Sequence, residues 1–183
     1  MARVLVPLAQ GCEELEAVSI IDLLRRAGID VVSAGLTTGP ITCSRGVVMV
    51  PDAALDEVMD DDFDMIVLPG GLPGADHLDE DERIQRLLKH MAAQGKYTAA
   101  ICAAPKVLAS AGLLQGKQAT SYPGVIDGMK LANTRYVDQA VVSDGKVITS
   151  RGPGTAMDFA LELIEKLVGR EQRNVVEAAL LRP

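Results

Sequence analysis

The sequence has few aromatic residues, few histidines and no block of basic charge. Aromatic side chains make up 3% of the 183 residues, tryptophan is absent and histidine occurs twice, whereas 48% of the residues are hydrophobic. We therefore expect a core of aliphatic side chains, in a chain long enough to bury a sizeable one. The formal net charge of −7, without a lysine- or arginine-rich segment, argues against a nucleic-acid or anionic-membrane surface.

Cysteine is also scarce. The three cysteines stand at positions 12, 43 and 102, which is the spacing of neither a disulfide framework nor a zinc site. The chain starts directly with a strand-like segment, without a signal-peptide pattern, and no apolar run reaches membrane-spanning length. These features predict a soluble protein of a reducing compartment, in the simplest interpretation the cytoplasm.

Short apolar strands alternate with amphipathic helical patterns along the chain. Six apolar runs predict strands: Val4–Leu8, Ile29–Ala34, Met65–Leu68, Tyr97–Ile101, Gln118–Ser121 and Val147–Thr149. Apolar side chains recur with the helical period of about 3.6 residues in three further segments: 17–27, 84–91 and 157–168. The alternation predicts one α/β domain over residues 1–183, with a mostly parallel sheet covered by helices on both faces. A hairpin of Ile41–Ser44 and Val47–Val50 is inserted into it.

Cys102 lies where a predicted strand meets a short helical pattern that ends at Gly112. Such a sharp strand-to-helix turn presents a nucleophile at the edge of a sheet. A helix N-terminus also favours the thiolate, and Pro105 is tolerated in the first helical turn, where its missing N–H has no acceptor. The alternative is a structural cysteine, because free cysteine often packs as a small hydrophobic residue.

The loop after the first strand carries an acidic cluster. Glu13 and Glu14 are explained by the positive end of the helix that follows, and their charge would repel a phosphate ligand. Glu16 differs, because it lies in phase with Ile20 and Leu24 on the apolar stripe. Burial would raise the pKa of its carboxyl and make it an acid or base near neutral pH. The alternative is a glutamate that extends to solvent at the helix end.

Gly70 and Gly71 follow directly after another predicted strand. In open parallel sheets ligands bind beyond the C-terminal ends of the strands, so this loop is expected near Cys102. The backbone N–H groups of Gly71 and Ala103 would then form an oxyanion hole. The alternative is an ordinary strand-to-helix turn. Cys12, in the acidic first loop, is a candidate secondary thiol.

The two histidines do not supply a partner for the thiol. His90 lies on the polar side of its helical pattern, and His77 lies near the rim of the predicted site with nothing to place it against Cys102. A cysteine–histidine dyad is therefore not predicted, and the proton chemistry falls to Glu16. An amidotransferase-like function is set aside, because that chemistry needs a histidine downstream of the cysteine and none follows His90.

Taken together, these motifs resemble the ThiJ/PfpI superfamily, and more narrowly its parkinsonism-associated deglycase branch with the bacterial YajL-like proteins. The resemblance covers essentially the whole chain and rests on residues 13–16, 42–46, 68–71, 100–105 and 149–155. It implies a flavodoxin-like three-layer sandwich that is usually a homodimer.

The resemblance also implies roles for single residues. Cys102 matches the reactive, oxidation-prone cysteine of the superfamily, and Glu16 matches the protonated acid beside it. The remaining matches are backbone groups around the cysteine at Gly70, Gly71 and Ala103, the loop beside the site at Arg151 and Pro153, dimer contacts at Cys43 and Arg45, and Tyr122 where some members have histidine.

Two functions follow as hypotheses. The first is a cofactor-free enzyme that acts on small aldehydes or glycated amino groups, as a glutathione-independent glyoxalase or a deglycase. Peptidase activity is not expected, because Ala103 stands where protease-like members have histidine. The alternative is an oxidative-stress sensor or redox-regulated chaperone, in which Cys102 is oxidised to a sulfinic acid that Glu16 stabilises.

Overall fold

The computed structural model describes residues 1–182. Its strands are β1 (Arg3–Leu8), β2 (Asp30–Gly35), β3 (Ile41–Thr42), β4 (Val48–Met49), β5 (Ala53–Ala54), β6 (Met65–Leu68), β7 (Tyr97–Ile101), β8 (Gln118–Ala119), β9 (Arg135–Tyr136), β10 (Val141–Asp144) and β11 (Val147–Ser150). Its helices are α1 (Glu14–Arg26), α2 (Leu55–Val58), α3 (Gly74–Glu80), α4 (Glu82–Ala93), α5 (Pro105–Ser110), α6 (Ala156–Val168) and α7 (Arg170–Ala179), with a short 3-10 turn at Pro153–Thr155.

Seven strands form the central sheet, in the order β10-β11-β7-β6-β1-β2-β5. All neighbours pair in parallel except β10, which lies antiparallel to β11 at one edge. The connection from β1 to β2 and the connection from β6 to β7 run in opposite directions across this sheet. Because such crossovers are right-handed, their helices cover opposite faces, which confirms the predicted mostly parallel sheet between two helical layers.

The reversal of strand order lies between β1 and β6. In sheets of this type it opens a crevice at the carboxyl ends of the strands, where ligands bind. The loops that follow β1, β6 and β7 meet there, and these are the three loops in which the sequence predicts the site.

The apolar pattern of the strands is explained by their burial. All four residues of β6 are buried, and four of the five in β7 are, because both strands are covered by helices on both faces. Phe159 of α6 and Ile20 of α1 are among the largest fully buried side chains, and α1 and α6 pack together on one face. Within residues 1–182, no helix has both the length and the apolar character that crossing a bilayer requires.

Several segments differ from the prediction. The predicted strand 118–121 is a strand only at Gln118–Ala119, and it pairs with β9 outside the central sheet. Thr120 leaves that ladder because its N–H donates to Oγ1 of Thr149, at 2.9 Å. The edge strand β10 was not predicted, since Val142 is the one buried residue among its four. The inserted hairpin is present and shorter, as β3 paired with β4.

Candidate active site

Cys102 occupies the sharp turn between β7 and α5. Its φ of 65° lies in the left-handed region, which a residue with a Cβ adopts only under strain. The side chain is 8% exposed, and Pro105 begins the helix that follows. The predicted turn is therefore present, and it holds a nearly buried thiol at the carboxyl edge of the sheet.

Glu16 lies in the first turn of α1 and is fully buried, as its position on the apolar stripe predicts. Its Oε2 accepts a hydrogen bond of 2.8 Å from the N–H of Gly70. Its Oε1 is buried without a hydrogen-bond partner of ordinary geometry among the described residues. The turn that carries it is fixed by Glu13, the N-cap, whose carboxylate accepts from the backbone N–H of Glu16 at 2.8 Å.

The glycines after β6 allow Glu16 and Cys102 to approach each other. A Cβ on Gly70 would lie 2.7 Å from the Cβ of Cys102 and 2.8 Å from Oε2 of Glu16. Gly71 has a φ of 85°, and a Cβ there would lie 2.5 Å from the backbone nitrogen of Glu13. Both positions therefore require glycine, which the Gly-Gly sequence alone does not establish.

Replacing Gly70 by alanine is expected to separate the acid from the thiol. The added methyl group has no space, so we expect a loss of about 1–3 kcal/mol of folding free energy from overpacking. Any reaction that uses both groups should slow at least about tenfold, since small displacements of reacting groups are costly. Thermal unfolding and turnover of a carbonyl substrate measure the two effects.

Gly154→Ala is the matched control for stability, because a Cβ there meets nothing within 4 Å and the backbone is not left-handed. It should unfold at the same temperature as the parent. A Gly70→Ala protein as stable as Gly154→Ala would contradict the close approach of Gly70 to Cys102 and Glu16.

The electrostatics of the two groups are coupled. Burial raises the pKa of the Glu16 carboxyl from 4.5 to about 7, although the hydrogen bond from the Gly70 N–H and the neighbouring Cys102 thiol oppose this rise. Burial also raises the pKa of the Cys102 thiol to about 12, and the negative charge of Glu16 adds to that rise. The backbone N–H groups of Gly71 and Ala103 act in the opposite direction and lower the thiol pKa.

The helix N-terminus was expected to lower the pKa of the Cys102 thiol and so favour the thiolate. The pKa is raised instead. The helix dipole is outweighed by loss of solvent and by the adjacent carboxylate, both of which penalise a second negative charge. When Glu16 is protonated, that charge is absent and the two backbone N–H groups remain. The pair therefore holds one proton over a wide pH range, and either group can carry it.

A cavity of about 310 Å³ is lined in part by Tyr122, Arg151 and Pro153. The backbone N–H of Tyr122 donates to the carbonyl oxygen of Cys102 at 2.8 Å, and the Tyr122 side chain is half exposed. The guanidinium of Arg151 pairs with the carboxylate of Asp138 at 2.7 Å. Three of the predicted site-adjacent residues, Tyr122, Arg151 and Pro153, thus line one cavity, and the backbone of Tyr122 is bonded to that of Cys102.

The other predicted residues make contacts of their own. Cys12 and Cys43 are buried, with their sulfur atoms 3.6 Å apart, and Arg45 is exposed on the hairpin. His77 is also exposed, and its Nδ1 is bound to the carbonyl oxygen of Gln10 at 3.0 Å. The structure therefore brings no histidine to Cys102. Within residues 1–182, no group of three or more His, Cys, Asp or Glu side chains is arranged to hold a metal ion.

Sequence reasoning missed the function of Glu14, which it assigned to the helix dipole. Glu14 is buried, and its carboxylate accepts from the hydroxyl of Ser44 at 3.1 Å and from the N–H of Arg45 at 2.9 Å. These bonds lower its pKa against the opposing effect of burial. The carboxylate thereby fixes the hairpin to the start of α1. No signal in the sequence distinguishes Glu14 from the exposed acids of such a helix start.

A family model described as the DJ-1/PfpI family matches residues 2–166. The chain belongs to this family. The DJ-1/PfpI assignment agrees with Drosophila melanogaster protein dj-1beta, which is 48% identical over 179 residues, covering 97% of this chain and 95% of the relative. The crystal structure of Drosophila DJ-1beta matches with a TM-score of 0.94 at 47% identity and covers 100% of this chain and 98% of that one. The predicted flavodoxin-like fold class is therefore confirmed.

Two further DJ-1/PfpI relatives have descriptions that bear on chemistry. A solved structure described as oxidized Toxoplasma gondii DJ-1 has a TM-score of 0.95 at 44% identity, covering 99% of this chain and 98% of that one. The Caenorhabditis elegans protein named glutathione-independent glyoxalase DJR-1.2 is 41% identical over 182 residues, covering 100% of this chain and 94% of the relative.

Proposed function

We propose that this chain is a cysteine-dependent enzyme that converts small reactive carbonyl compounds without glutathione or another cofactor. The observation that carries the proposal is the pairing of Cys102, on a strained turn, with the fully buried carboxyl of Glu16. A nucleophile next to an acid or base of matched pKa is the arrangement that carbonyl addition requires. The name of the Caenorhabditis elegans relative supports the same class of reaction.

In the proposed reaction, the sulfur of Cys102 attacks the aldehyde carbon of methylglyoxal and forms a hemithioacetal. The thiol proton passes through Glu16, whose pKa of about 7 suits a group that both takes and returns a proton. The N–H groups of Gly71 and Ala103, which lower the Cys102 pKa, are available to the oxygen anion that develops next to the sulfur.

The second half of the reaction moves a proton between the two carbon atoms. Glu16 removes the proton on the hemithioacetal carbon and returns it to the neighbouring carbon, which converts the hemithioacetal into a thioester. Water then cleaves the thioester, releases the Cys102 thiol and yields lactate. Methylglyoxal plus one water gives one lactate, so no oxidant or reductant is consumed. Glycated amines would enter the same first step, with the amine as the leaving group.

Conversion of methylglyoxal to lactate by the purified chain tests this proposal. We expect lactate to form in buffer that contains neither glutathione nor metal, in an amount equal to the methylglyoxal lost. Lactate is read with a coupled dehydrogenase and compared with heat-denatured protein. If methylglyoxal is lost without lactate, the protein is only modified by the aldehyde and the proposal is wrong.

Redox sensing by Cys102 is the second candidate function. It uses the same two groups, because a protonated Glu16 would donate a hydrogen bond to an oxygen of a sulfinate on Cys102. The oxidized form of the Toxoplasma gondii relative favours this candidate. The carbonyl reaction is preferred, since it accounts for an acid with a pKa of about 7 that can exchange its proton.

We further propose that two copies of the chain pair through α1 and the β3–β4 hairpin. Large apolar side chains are exposed on both elements, at Leu15, Val18, Val47 and Val48. Contiguous exposed apolar surface is typical of protein–protein interfaces. Of the two residues expected at the dimer contact, Arg45 is exposed on this hairpin and Cys43 is buried.

A further inference from the structure

We propose that Cys12 and Cys43 form a redox-active thiol pair, which closes reversibly to an intramolecular disulfide when the protein meets a peroxide. The proposal is independent of the function at Cys102, which lies in a different loop. It concerns the two cysteines that the carbonyl chemistry does not use.

The geometry of the pair carries this inference. The Sγ atoms of Cys12 and Cys43 are 3.6 Å apart, although the residues are 31 positions apart in the chain. A disulfide needs a sulfur–sulfur distance of about 2.05 Å, so the sulfurs must approach by about 1.5 Å. Rotation of two unbranched side chains about χ1 supplies movement of this size.

The backbone holds the two segments side by side around this contact. The N–H of Gly11 donates to the carbonyl oxygen of Thr42 at 2.8 Å, and the N–H of Ser44 donates to the carbonyl oxygen of Cys12 at 2.8 Å. The first bond joins the residues that precede the two cysteines, and the second joins Cys12 itself to the residue after Cys43. The two side chains therefore face each other without rearrangement of the main chain. The Glu14 carboxylate, bound to Ser44 and Arg45, anchors the hairpin on the same side.

The order of oxidation follows from exposure. Cys43 retains 4% exposure and Cys12 none, so Cys43 is the more accessible of the two buried thiols. Burial raises the pKa of both thiols, so the close approach of the two sulfur atoms, and not a low thiol pKa, favours the reaction.

The chemistry balances with one peroxide. The Cys43 sulfur attacks one peroxide oxygen, the O–O bond breaks, and a sulfenic acid and one water form. The Cys12 sulfur then displaces hydroxide from the sulfenic sulfur, the S–S bond forms, and the thiol proton leaves with that hydroxide as a second water. Two thiols are oxidised by two electrons in total, and hydrogen peroxide is reduced to two waters.

The disulfide would join two functional parts of the molecule. The backbone of Cys12 packs against the glycines after β6, because a Cβ on Gly74 would lie 2.5 Å from its nitrogen and a Cβ on Gly71 2.8 Å from its carbonyl carbon. Cys43 belongs to the hairpin that carries the proposed dimer surface. A covalent link between them closes a loop of the unfolded chain and should raise Tm by about 5 °C or more.

The test uses wild type and Cys102→Ser, treated with equimolar hydrogen peroxide, denatured, alkylated and digested with trypsin without reductant. We expect one cross-linked species of residues 4–25 and 27–45, lighter than the two peptides by two hydrogens and lost on treatment with dithiothreitol. The Cys102 peptide, residues 97–106, reports in wild type on the separate oxidation of that thiol.

Cys12→Ser in the Cys102→Ser background is the matched control, which leaves only Cys43. It should give no cross-link and no rise in Tm. The proposal is overturned if both Cys12 and Cys43 remain open to alkylation after peroxide, or if the cross-link joins two molecules on a non-reducing gel. Wild type is measured in parallel. If a variant fails to fold, the presence or absence of the cross-linked peptide in wild type still decides the proposal.

Discussion

Replacing Cys102 by alanine is expected to reduce turnover of methylglyoxal at least about a thousandfold, since the loss of a covalent nucleophile removes the reaction path and not only a binding contact. A thousandfold loss corresponds to about 4 kcal/mol of transition-state stabilisation. The fold should survive, because alanine keeps the Cβ of cysteine and removes only the sulfur atom. Initial rates of lactate formation measure the effect.

Cys43→Ala is the matched control, because it also removes one buried thiol from the chain, in this case one whose sulfur contacts Cys12. Its rate should stay within about threefold of the parent, as expected for a site that makes no contact with the reacting atoms. A Cys102→Ala protein that retains a tenth of the parent rate would contradict the proposed nucleophile. Alanine at Cys12 would then show whether that thiol carries the residual reaction.

Glu16→Gln is expected to lower turnover by about a hundredfold to ten-thousandfold, the usual contribution of a positioned acid or base. Glutamine keeps the shape of the side chain and the acceptor for the N–H of Gly70, so the change removes the exchangeable proton and little else. In the parent, the rate should rise with pH through about 7, where the doubly protonated pair loses its first proton. The rise should be absent in the variant.

The same substitution should make the protein more stable. The folded pKa of Glu16 is raised from 4.5 to about 7, so the native state holds a proton that the unfolded chain has already lost between these values. The free energy of unfolding is therefore highest, as far as Glu16 is concerned, below about pH 4.5. It falls as the pH rises toward 7 and stays lower above pH 7, by about 3 kcal/mol at most. Glutamine avoids this loss.

Denaturation midpoints at pH 4.5 and pH 8 show whether Glu16→Gln stabilises the protein. We expect Glu16→Gln to exceed the parent in stability at pH 8 and to match it at pH 4.5. Glu80→Gln is the control, because Glu80 is an exposed acid at the end of α3, and within residues 1–182 its carboxylate has no hydrogen-bond or ion-pair partner. It should show little pH-dependent difference. A Glu16→Gln protein that loses stability at pH 8 would mean that the carboxylate is held by contacts stronger than its burial cost.

The elements that form the site were predictable because each has a local signal. The apolar run Met65–Leu68 ends at two glycines, and Tyr97–Ile101 ends at a cysteine followed three residues later by proline. The position of Glu16 in the apolar period of α1 predicted its burial. These are periodic or punctuating patterns that need no tertiary contact to be read.

The properties that depend on tertiary contacts were not predictable from the residues alone. The pKa of Cys102 is decided by the balance between a helix terminus, loss of solvent and a carboxylate from another loop, and only the structure orders these effects. The contact between Cys12 and Cys43 depends on how an inserted hairpin folds back onto the first loop. The edge strand β10 has too little burial to leave a pattern.

Glu16 and Gly70, joined through one hydrogen bond, are 54 positions apart in the chain, and Cys102 comes from a third segment. Contacts between such distant segments form late in folding, because loop closure must precede them. Before they form, Cys102 is an ordinary cysteine and Glu16 an ordinary carboxylate. The chemistry at Cys102 is thus a property of the completed chain, and a nascent or damaged molecule does not display it. The rate at which Cys102 reacts therefore indicates whether the chain around it has reached the native state.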